Sequence, residues 1–280
     1  MPFLSEIDGL RLLYKEIIEG FSPYPTSSCY IKHLDELESL EILRKKQDLF
    51  EIYKKEGVPT QEQKLKDAIA SGEWDEGKED QILTYKYNIS DNEKNLKSLI
   101  PQQHPPIKKI ISEIKQKLNA LLKEKDSVLG QTADYFAERD SFNYTIYLSL
   151  YKDPLSRLFN SYHDFQEIED EGVVSYGKIL ENALTKFTHN NLTYIAVMPF
   201  FLNPLSYVKE NVFNFLRKPI IEMTNYQSAL ISLGLRNLNI LSNTDAEPPA
   251  LLDDVPLNDI VKWYDMHFSV MLGKSKSNSK

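Results

Sequence analysis

Residues 82–128, ILTYKYNISDNEKNLKSLIPQQHPPIKKIISEIKQKLNALLKEKDSV, carry two runs of apolar side chains separated by one short break. In both runs the apolar positions recur in alternating steps of three and four, which is typical of a helix with a narrow packing seam. The first seam comprises Ile82, Tyr85, Ile89, Asn92, Leu96 and Leu99. The second seam comprises Ile107, Ile111, Ile114, Leu118, Leu121, Lys125 and Val128. Because the intervening IPQQHPP holds three prolines, one continuous helix is excluded.

Two seams flanking a tight break predict an antiparallel helical hairpin over residues 79–128, with Leu96 near Ile111 and Ile89 near Leu118. At about 1.5 Å per residue, each arm is roughly 30 Å long. The same seams also fit a bundle in which both helices pack on an apolar stripe of the preceding helix, and the sequence leaves both arrangements open. That stripe comprises Leu34, Leu37, Leu40, Leu43, Phe50 and Tyr53.

The composition is that of a globular protein and limits its partners. The chain has 280 residues, of which 41% are hydrophobic and 26% charged, with a formal charge of −8. A net negative surface repels phosphate, so we expect no nucleic-acid partner. Cys29 is the single cysteine, so an intrachain disulfide and a cysteine-based zinc site are excluded. The N-terminus lacks the basic and apolar regions of a signal peptide, which favours a cytoplasmic location.

The most apolar stretch, NLTYIAVMPFFLNPLSYV at 191–208, is free of charge. A membrane-spanning helix needs about 20 apolar residues, and Pro199 and Pro204 would interrupt its backbone hydrogen bonds twice. We therefore expect no membrane partner. The interpretation that we favour is a buried, kinked element that packs on the Tyr-rich helix before it and on NVFNFL after it. An exposed interaction patch is the alternative.

Changes in composition along the chain predict its organisation. Residues 1–130 are helical and rich in charge, and they include the hairpin at 79–128, whereas 131–242 are helical and rich in aromatic side chains. Residues 243–256 have the proline and acidic residues of a linker. An amphipathic helix follows at 257–272, and a polar, disordered tail at 273–280. The sequence thus predicts a mainly α fold: a helical bundle with an antiparallel coiled-coil hairpin arm and an aromatic-rich helical C-terminal half.

The amphipathic C-terminal helix is the candidate partner-binding site. Its apolar face is larger than solubility allows for a helix on a linker, so it must dock, either on its own chain or in a groove of a partner. The face comprises Ile260, Trp263, Tyr264, His267, Phe268 and Met271.

Motifs for catalysis are missing from the sequence, since GxxxxGK[ST], GxGxxG, HExxH, GxSxG and CxxC do not occur. The densest cluster of carboxylates is YHDFQEIEDE at 162–171, in which His163, Glu167 and Glu171 are spaced four residues apart. Such a cluster can hold a divalent cation, but acidic residues are also common at helix starts. We expect a solvated helix start, and therefore no catalytic, cofactor-binding or metal-binding residues.

One family likeness covers roughly residues 105–245. A Lys/Glu-rich helix that ends in Leu-Gly is followed by an aromatic Tyr-Lys-Asp segment, a Pro-Phe-Phe-Leu, and a proline before Thr-x-Tyr-Gln. These features fall on Leu129 and Gly130, Tyr151 to Asp153, Pro199 to Leu202, Pro219, and Thr224 to Gln227. In this succession the chain resembles poorly characterised tail and baseplate assembly proteins of contractile-tailed bacteriophages.

The resemblance implies a non-enzymatic role in virion assembly, as a chaperone or as a structural component of the tail or baseplate. Its partners would be other phage tail or baseplate proteins, in the host cytoplasm during assembly or in the virion. Two alternatives remain open. One is a metal-dependent hydrolase that uses the cluster at 163–171, and the other is a regulatory protein that binds a host factor.

Overall fold

The structure, a computed structural model, describes residues 2–24, 29–98, 104–209, 211, 213–249 and 255–277, without the side chains of 2–5, 97–98 and 272–277. The predicted seam residue Leu99, most of the predicted hairpin turn, residues 250–254 of the predicted linker and residues 278–280 of the predicted tail lie outside this description. The described chain is mainly α-helical and includes a small antiparallel sheet. The predicted fold class is therefore confirmed.

The helices and strands follow one another in this order: α1 (Pro2–Glu19), β1 (Phe21–Tyr24), β2 (Cys29–Lys32), α2 (Glu36–Lys55), α3 (Gln61–Ser71), α4 (Glu76–Ser98), α5 (His104–Leu129), α6 (Ala133–Ser149), β3 (Leu150–Asp153), β4 (Ser156–Arg157), α7 (Tyr162–Gln166), α8 (Asp170–Leu184), α9 (His189–Ala196), α10 (Pro199–Val208), α11 (Phe213–Leu216), α12 (Asn225–Asn243) and α13 (Leu257–Ser277). A short 3-10 helix, Ile220–Glu222, precedes α12.

The chain divides into two compact units. The larger unit consists of residues 1–44 and 142–280, and the inserted unit consists of residues 45–141. The sequence prediction grouped residues 1–130 together, whereas the structure places residues 1–44 with the C-terminal half. The reason is that the apolar side of α1, with Leu10 and Ile17, is buried in the same core as α9, α10 and α12.

Paired helices α4 and α5 form the predicted antiparallel hairpin of the inserted unit. Their buried side chains Ile82, Ile89, Ile111 and Leu118 belong to one apolar cluster. Ion pairs between the helices follow the predicted register, with Glu93 bound to Lys115 and Glu79 to Lys125, both at 2.8 Å. The hairpin is therefore confirmed.

The helix that joins this cluster is α3, through Leu65, Ala68 and Ile69. The alternative bundle required the stripe on α2, but Leu37, Leu40 and Leu43 of that stripe are exposed. The structure therefore does not contain the alternative bundle on the α2 stripe.

A buried polar group secures the base of the hairpin. Trp74 is 2% exposed, and its indole Nε1 donates a hydrogen bond to Glu79 Oε1 at 2.8 Å. The other carboxylate oxygen of Glu79 accepts from Lys125 Nζ. Lys125 occupies a seam position, and its charge is compatible with burial there because a carboxylate of the facing helix pairs with it.

The uncharged stretch at 191–208 forms α9 and α10 in the centre of the larger unit. Ile195, Met198, Phe201 and Leu205 are almost fully buried. Pro199 occupies the first turn of α10, where a missing backbone N–H costs nothing. Within the described residues, no helix combines the length and the apolarity that crossing a membrane requires. Burial of this stretch is confirmed.

The neighbours of the buried stretch differ in part from the prediction. Phe201 contacts Phe215 of α11, with ring centroids 5.8 Å apart, as expected. The Tyr-rich helix α6 was predicted to be the other neighbour, and this was wrong. Its side chains Ile146 and Tyr147 pack in a second cluster with α7, α8 and the sheet. The place beside α10 is taken by α1, whose Tyr14 ring lies 5.8 Å from that of Phe201, and by α12.

A small sheet in the order β1-β2-β3-β4 was not predicted. All of its pairings are antiparallel, with Ile31 opposite Leu150 in the centre. Strands of two to four residues carry too short an alternation to be recognised. Moreover, the pairing of β2 with β3 joins segments more than a hundred residues apart, which local sequence does not encode.

The hairpin can be tested by comparing two adjacent isoleucines on α5. Ile111 is 7% exposed and Ile110 is 43% exposed. We expect Ile111→Asp to lower the free energy of unfolding by at least about 3 kcal/mol, because it buries an unpaired charge and removes apolar contact. Ile110→Asp, the matched control, should change it by less than about 1 kcal/mol. Urea denaturation followed by circular dichroism measures both, and equal effects would contradict this packing.

The contact of α10 with α12 can be tested at Gly234. A Cβ added there would lie 2.5 Å from Leu205 Cδ2 and from Phe201 Cε1, and both side chains are fully buried. We expect Gly234→Ala to destabilise the chain by about 1 to 3 kcal/mol through overpacking, despite alanine's better helix propensity. Gly9→Ala is the control, since a Cβ on that glycine of α1 meets no described atom within 4 Å. Gly9→Ala should stabilise the chain by up to about 1 kcal/mol. Thermal unfolding should therefore give a lower melting temperature for Gly234→Ala and a higher one for Gly9→Ala than for the wild type.

Candidate functional site

The C-terminal helix α13, predicted to be a partner-binding helix, packs on its own unit. Ile260 and Tyr264, four residues apart on one side of the helix, are each 2% exposed and lie in the core with α9 and α12. Burial raises the pKa of Tyr264 to about 12, because the phenolate would lose its hydration. Of the two docking modes that the sequence left open, the structure shows docking on the chain itself.

Polar contacts hold α13 at two points. Tyr194 of α9 donates a hydrogen bond from its hydroxyl to Asn258 Oδ1 at 2.7 Å. Arg236 of α12 forms an ion pair with Asp265 at 3.1 Å, and its guanidinium carbon lies 5.2 Å from the centre of the Phe268 ring. The helix is thus secured on both sides of its buried residues.

The remaining candidates, Trp263, His267, Phe268 and Met271, are partly buried at the edge of the same core. The Trp263 and His267 rings lie 4.0 Å apart, and the imidazole Nδ1 of His267 donates to the carbonyl oxygen of Trp263 at 2.8 Å. These four side chains retain exposed surface that Ile260 and Tyr264 lack. Whether this surface binds a partner stays a prediction.

The outer side of α13 carries two apolar side chains that the sequence analysis did not single out. Met266 is 57% exposed and Val270, one turn further on, is 50% exposed. The helix also continues to Ser277, beyond the end at 272 that the sequence predicted. Extending an existing helix adds one backbone hydrogen bond per residue, so it needs no new nucleation.

Beneath the first turns of α13, an open cavity of ≈ 450 Å³ lies between α10, α12 and α13 in the described part of the chain. Leu202, Leu238 and Ile260 are among its lining residues. Apolar surface facing a cavity forgoes part of its dispersion contacts. Tyr264 also lines this cavity. Attachment of α13 to the unit therefore depends strongly on the edge residues and on the polar contacts described above.

A buried polar chain, which the sequence analysis missed, joins α1, β1 and the segment after β2. The Ser22 hydroxyl donates to Glu16 Oε2 at 2.6 Å, and its oxygen accepts from His33 Nε2 at 2.8 Å. Lys186 Nζ lies 2.5 Å from the same Glu16 oxygen. Ser22 is 0% and His33 2% exposed. Ser22 and His33 are thus sealed from solvent, whereas the side chains of Glu16 and Lys186 are 15% and 33% exposed.

The order of these groups differs from that in a serine nucleophile, where a histidine stands between the serine and the acid. Here Ser22 stands between them, and its hydroxyl donates a hydrogen bond to Glu16. Because His33 donates from Nε2, its Nδ1 carries a lone pair, and this atom is buried without a hydrogen-bond partner among the described residues. Burial, and then the charges of Lys186 and Lys218, lower the pKa of His33 to about 3. The arrangement holds a neutral imidazole inside the core.

The strand that positions His33 is too short to give a clear signal in the sequence. In Cys29-Tyr30-Ile31-Lys32-His33 the buried positions alternate with partly buried ones, which is the period of a strand. His33 is not among the candidate residues of the sequence analysis. Recognition of β2 would have placed it on the buried side with Ile31.

The acidic cluster at 163–171 forms the ends of two helices. Asp164 belongs to a capping box, in which its carboxylate accepts from the Ser161 backbone N–H at 3.2 Å and hydroxyl at 2.8 Å. His163 and Glu167 lie 3.6 Å apart and are both exposed. Asp170 and Glu171 occupy the first turn of α8. Among the described residues, groups of three or more His, Cys, Asp or Glu arranged to hold a metal ion are not found.

The described geometry thus defines a mainly α-helical protein that has an antiparallel hairpin and a C-terminal helix docked on its own core. The chain matches no family model, and neither curated proteins nor solved structures show a significant similarity to it.

The neutral state of His33 can be tested through the pH dependence of stability. An unfolded histidine titrates near pH 6.5, whereas the pKa of His33 in the folded chain is about 3. Between these values the unfolded chain binds a proton that the folded chain does not bind, so stability falls as the pH falls. From this group alone we expect a loss of about 1.4 kcal/mol per pH unit between pH 6 and 4.

Other groups titrate in the same range, so the test compares variants. Denaturant unfolding of His33→Gln should show a pH profile that is less steep by this amount. His163→Gln, whose native side chain is 81% exposed, is the control and should keep the wild-type slope. Equal slopes for wild type and His33→Gln would mean that His33 is protonated in the folded chain.

Proposed function

We propose that the protein is an assembly factor or structural component of a contractile bacteriophage tail or baseplate, acting through contacts with other proteins. The observation that carries the proposal is the two-sided apolar character of α13. Ile260 and Tyr264 anchor the helix in the core, while Met266 and Val270 remain exposed on its outer side. A helix held in this way presents a second apolar surface in a fixed orientation.

The composition of that surface supports a protein partner. Trp263 is partly buried beside the exposed pair, and its ring packs at a tilt against that of His267, so it is held in one orientation before binding. Tryptophan dominates many interfaces because it buries a large area at a small cost in side-chain entropy. Preorganisation reduces the entropy lost on association. Lys262, which is exposed, pairs with Asp259 at 2.7 Å and lies among the polar residues that would border such a contact.

The resemblance to tail and baseplate assembly proteins supplies the class of partner. It rests on features that the structure distributes over several elements, among them Leu129 at the end of α5, Pro199 at the start of α10 and the Thr224 cap of α12. Thr224 and Gln227 form a capping box, and the Gln227 amide also donates to the carbonyl oxygens of Ile17 and Ile18. The Thr-x-Tyr-Gln segment thus has a structural role of its own, and the proposed function depends on α13.

The proposal is tested in the phage that encodes the chain. Deletion of the gene should yield particles without complete tails in electron micrographs, and the wild-type gene supplied in trans should restore them. Mass spectrometry of purified virions then distinguishes a component, which is present, from a chaperone, which is absent. Normal tails after deletion would contradict the proposal.

The role of α13 is tested in the same complementation assay. Met266→Glu/Val270→Glu should fail to restore tails, because two carboxylates on the outer side of the helix oppose an apolar contact. Its melting temperature should stay within a few degrees of wild type, since both side chains are exposed. The matched control is Leu12→Glu/Val174→Glu, which changes two side chains of the same unit that are 64% and 56% exposed, and it should restore tails. Full complementation by the α13 variant would show that the outer side of α13 is not part of the interface.

A further inference from the structure

The first turns of α2 expose a row of leucines. Leu37, Leu40 and Leu43 are 48%, 40% and 62% exposed. They are spaced three residues apart, so at about 100° per residue the outer two lie roughly 60° to either side of Leu40. No residue of α2, all of which the structure describes, is buried. The leucine row is therefore an apolar helix face without a partner in this unit.

The opposite side of this helix segment is attached to the larger unit. Glu38 binds Lys32 through an ion pair, and Glu41 accepts a hydrogen bond from the Tyr144 hydroxyl. Ile42 packs against the cluster formed by the sheet, α6 and α8. These three positions lie about 100° to 200° around the helix from Leu40. Because these three residues hold the opposite side of α2 against the cluster, the leucine row faces away from it.

The charges beside the row are arranged symmetrically. Glu36 precedes Leu40 by four residues and Arg44 follows it by four, and both are exposed. Each lies about 40° from the direction of Leu40, on opposite sides. An acidic residue at one end and a basic residue at the other make the face self-complementary when a second copy is placed antiparallel to it.

We propose that the leucine row is the interface of a homodimer, in which α2 of a second copy packs antiparallel across a two-fold axis that passes beside Leu40. In this register the two Leu40 side chains meet at the centre. At each end, Leu43 and Arg44 of one subunit lie level with Leu37 and Glu36 of the partner subunit. Every contact other than the central one between the two Leu40 side chains then occurs twice, as a two-fold interface requires. The inference is independent of the proposed role in tail assembly.

The size of the face sets the strength of the dimer. Residues 36–44 span about 12 Å of helix, so the contact is smaller than a standard interface of roughly 1,200 to 2,000 Å². Exposed ion pairs add little affinity, but they select the register and disfavour parallel pairing, which would bring like charges together. We therefore expect a weak dimer whose population rises with protein concentration.

Sedimentation velocity of the full chain over a concentration series tests the dimer. The wild type should shift from monomer towards dimer as concentration rises. Leu40→Glu should remain monomeric, because it places two carboxylates against each other on the axis. Leu12→Glu, an exposed leucine on α1, is the control and should dimerise like the wild type. A wild type that is monomeric throughout, or a dimer that survives Leu40→Glu, overturns the proposal.

Charge reversal tests the antiparallel register separately. Glu36→Arg and Arg44→Glu should each weaken the dimer, raising its dissociation constant roughly three- to tenfold, because each creates two like-charged pairs. The double variant Glu36→Arg/Arg44→Glu exchanges the two charges and should recover the wild-type constant. Circular dichroism of each variant checks that the chain is folded. A double variant no tighter than the single ones would refute this register.

Oxidative crosslinking locates the axis. Leu40→Cys should form an intermolecular disulfide, since only residues near a two-fold axis meet their own copies. Leu43→Cys should not do so, because its two copies are about 9 Å apart along the helices. The wild type, whose Cys29 is buried, should remain uncrosslinked. Crosslinking of Leu43→Cys in place of Leu40→Cys would move the axis and reject the proposed arrangement.

Discussion

The larger unit depends on one constraint, which is that the uncharged run ending in α10 must be removed from water. Phe201 and Leu205 reach this state by entering a groove that Gly234 leaves open on α12. The sides of α10 that do not face α12 need other neighbours. Helix α1 covers one of them through the Tyr14 ring. The chain segments that meet here are far apart in sequence, so this burial brings together the N-terminal and C-terminal parts of the unit.

Burying irregular backbone creates polar groups that need partners, and long polar side chains provide them. The break between α9 and α10 leaves the carbonyl oxygen of Ala196 without its helical partner, and the fully buried Asn237 donates to it at 2.9 Å. The Gln227 amide likewise donates to the carbonyl oxygens of Ile17 and Ile18 at the end of α1, where Ile17 also accepts from the Gly20 backbone N–H. An unpaired buried carbonyl costs about 1 to 3 kcal/mol, so these amides make the tertiary arrangement specific as well as stable.

Local periodicity was sufficient to predict the hairpin, because the seam of α4 finds its complement only a few residues later in α5. Burial of the run around Phe201 could likewise be predicted from its lack of charge. The sheet, the place of α1 and the polar chain through Ser22 and His33 could not, since each depends on contacts between distant segments. For α13 the pattern showed that a face must dock, but the choice of surface was a property of the folded core.

The insertion of residues 45–141 into the larger unit has a consequence for biosynthesis. The inserted unit is continuous in sequence, so its hairpin can close as soon as its own residues have left the ribosome. Its host cannot, because α1 emerges roughly 180 residues before α10, or about 10 to 40 s earlier at usual rates of translation. During that interval the apolar side of α1 has no native partner. Among the segments of residues 1–44, α1 is therefore the last to have its apolar side removed from water.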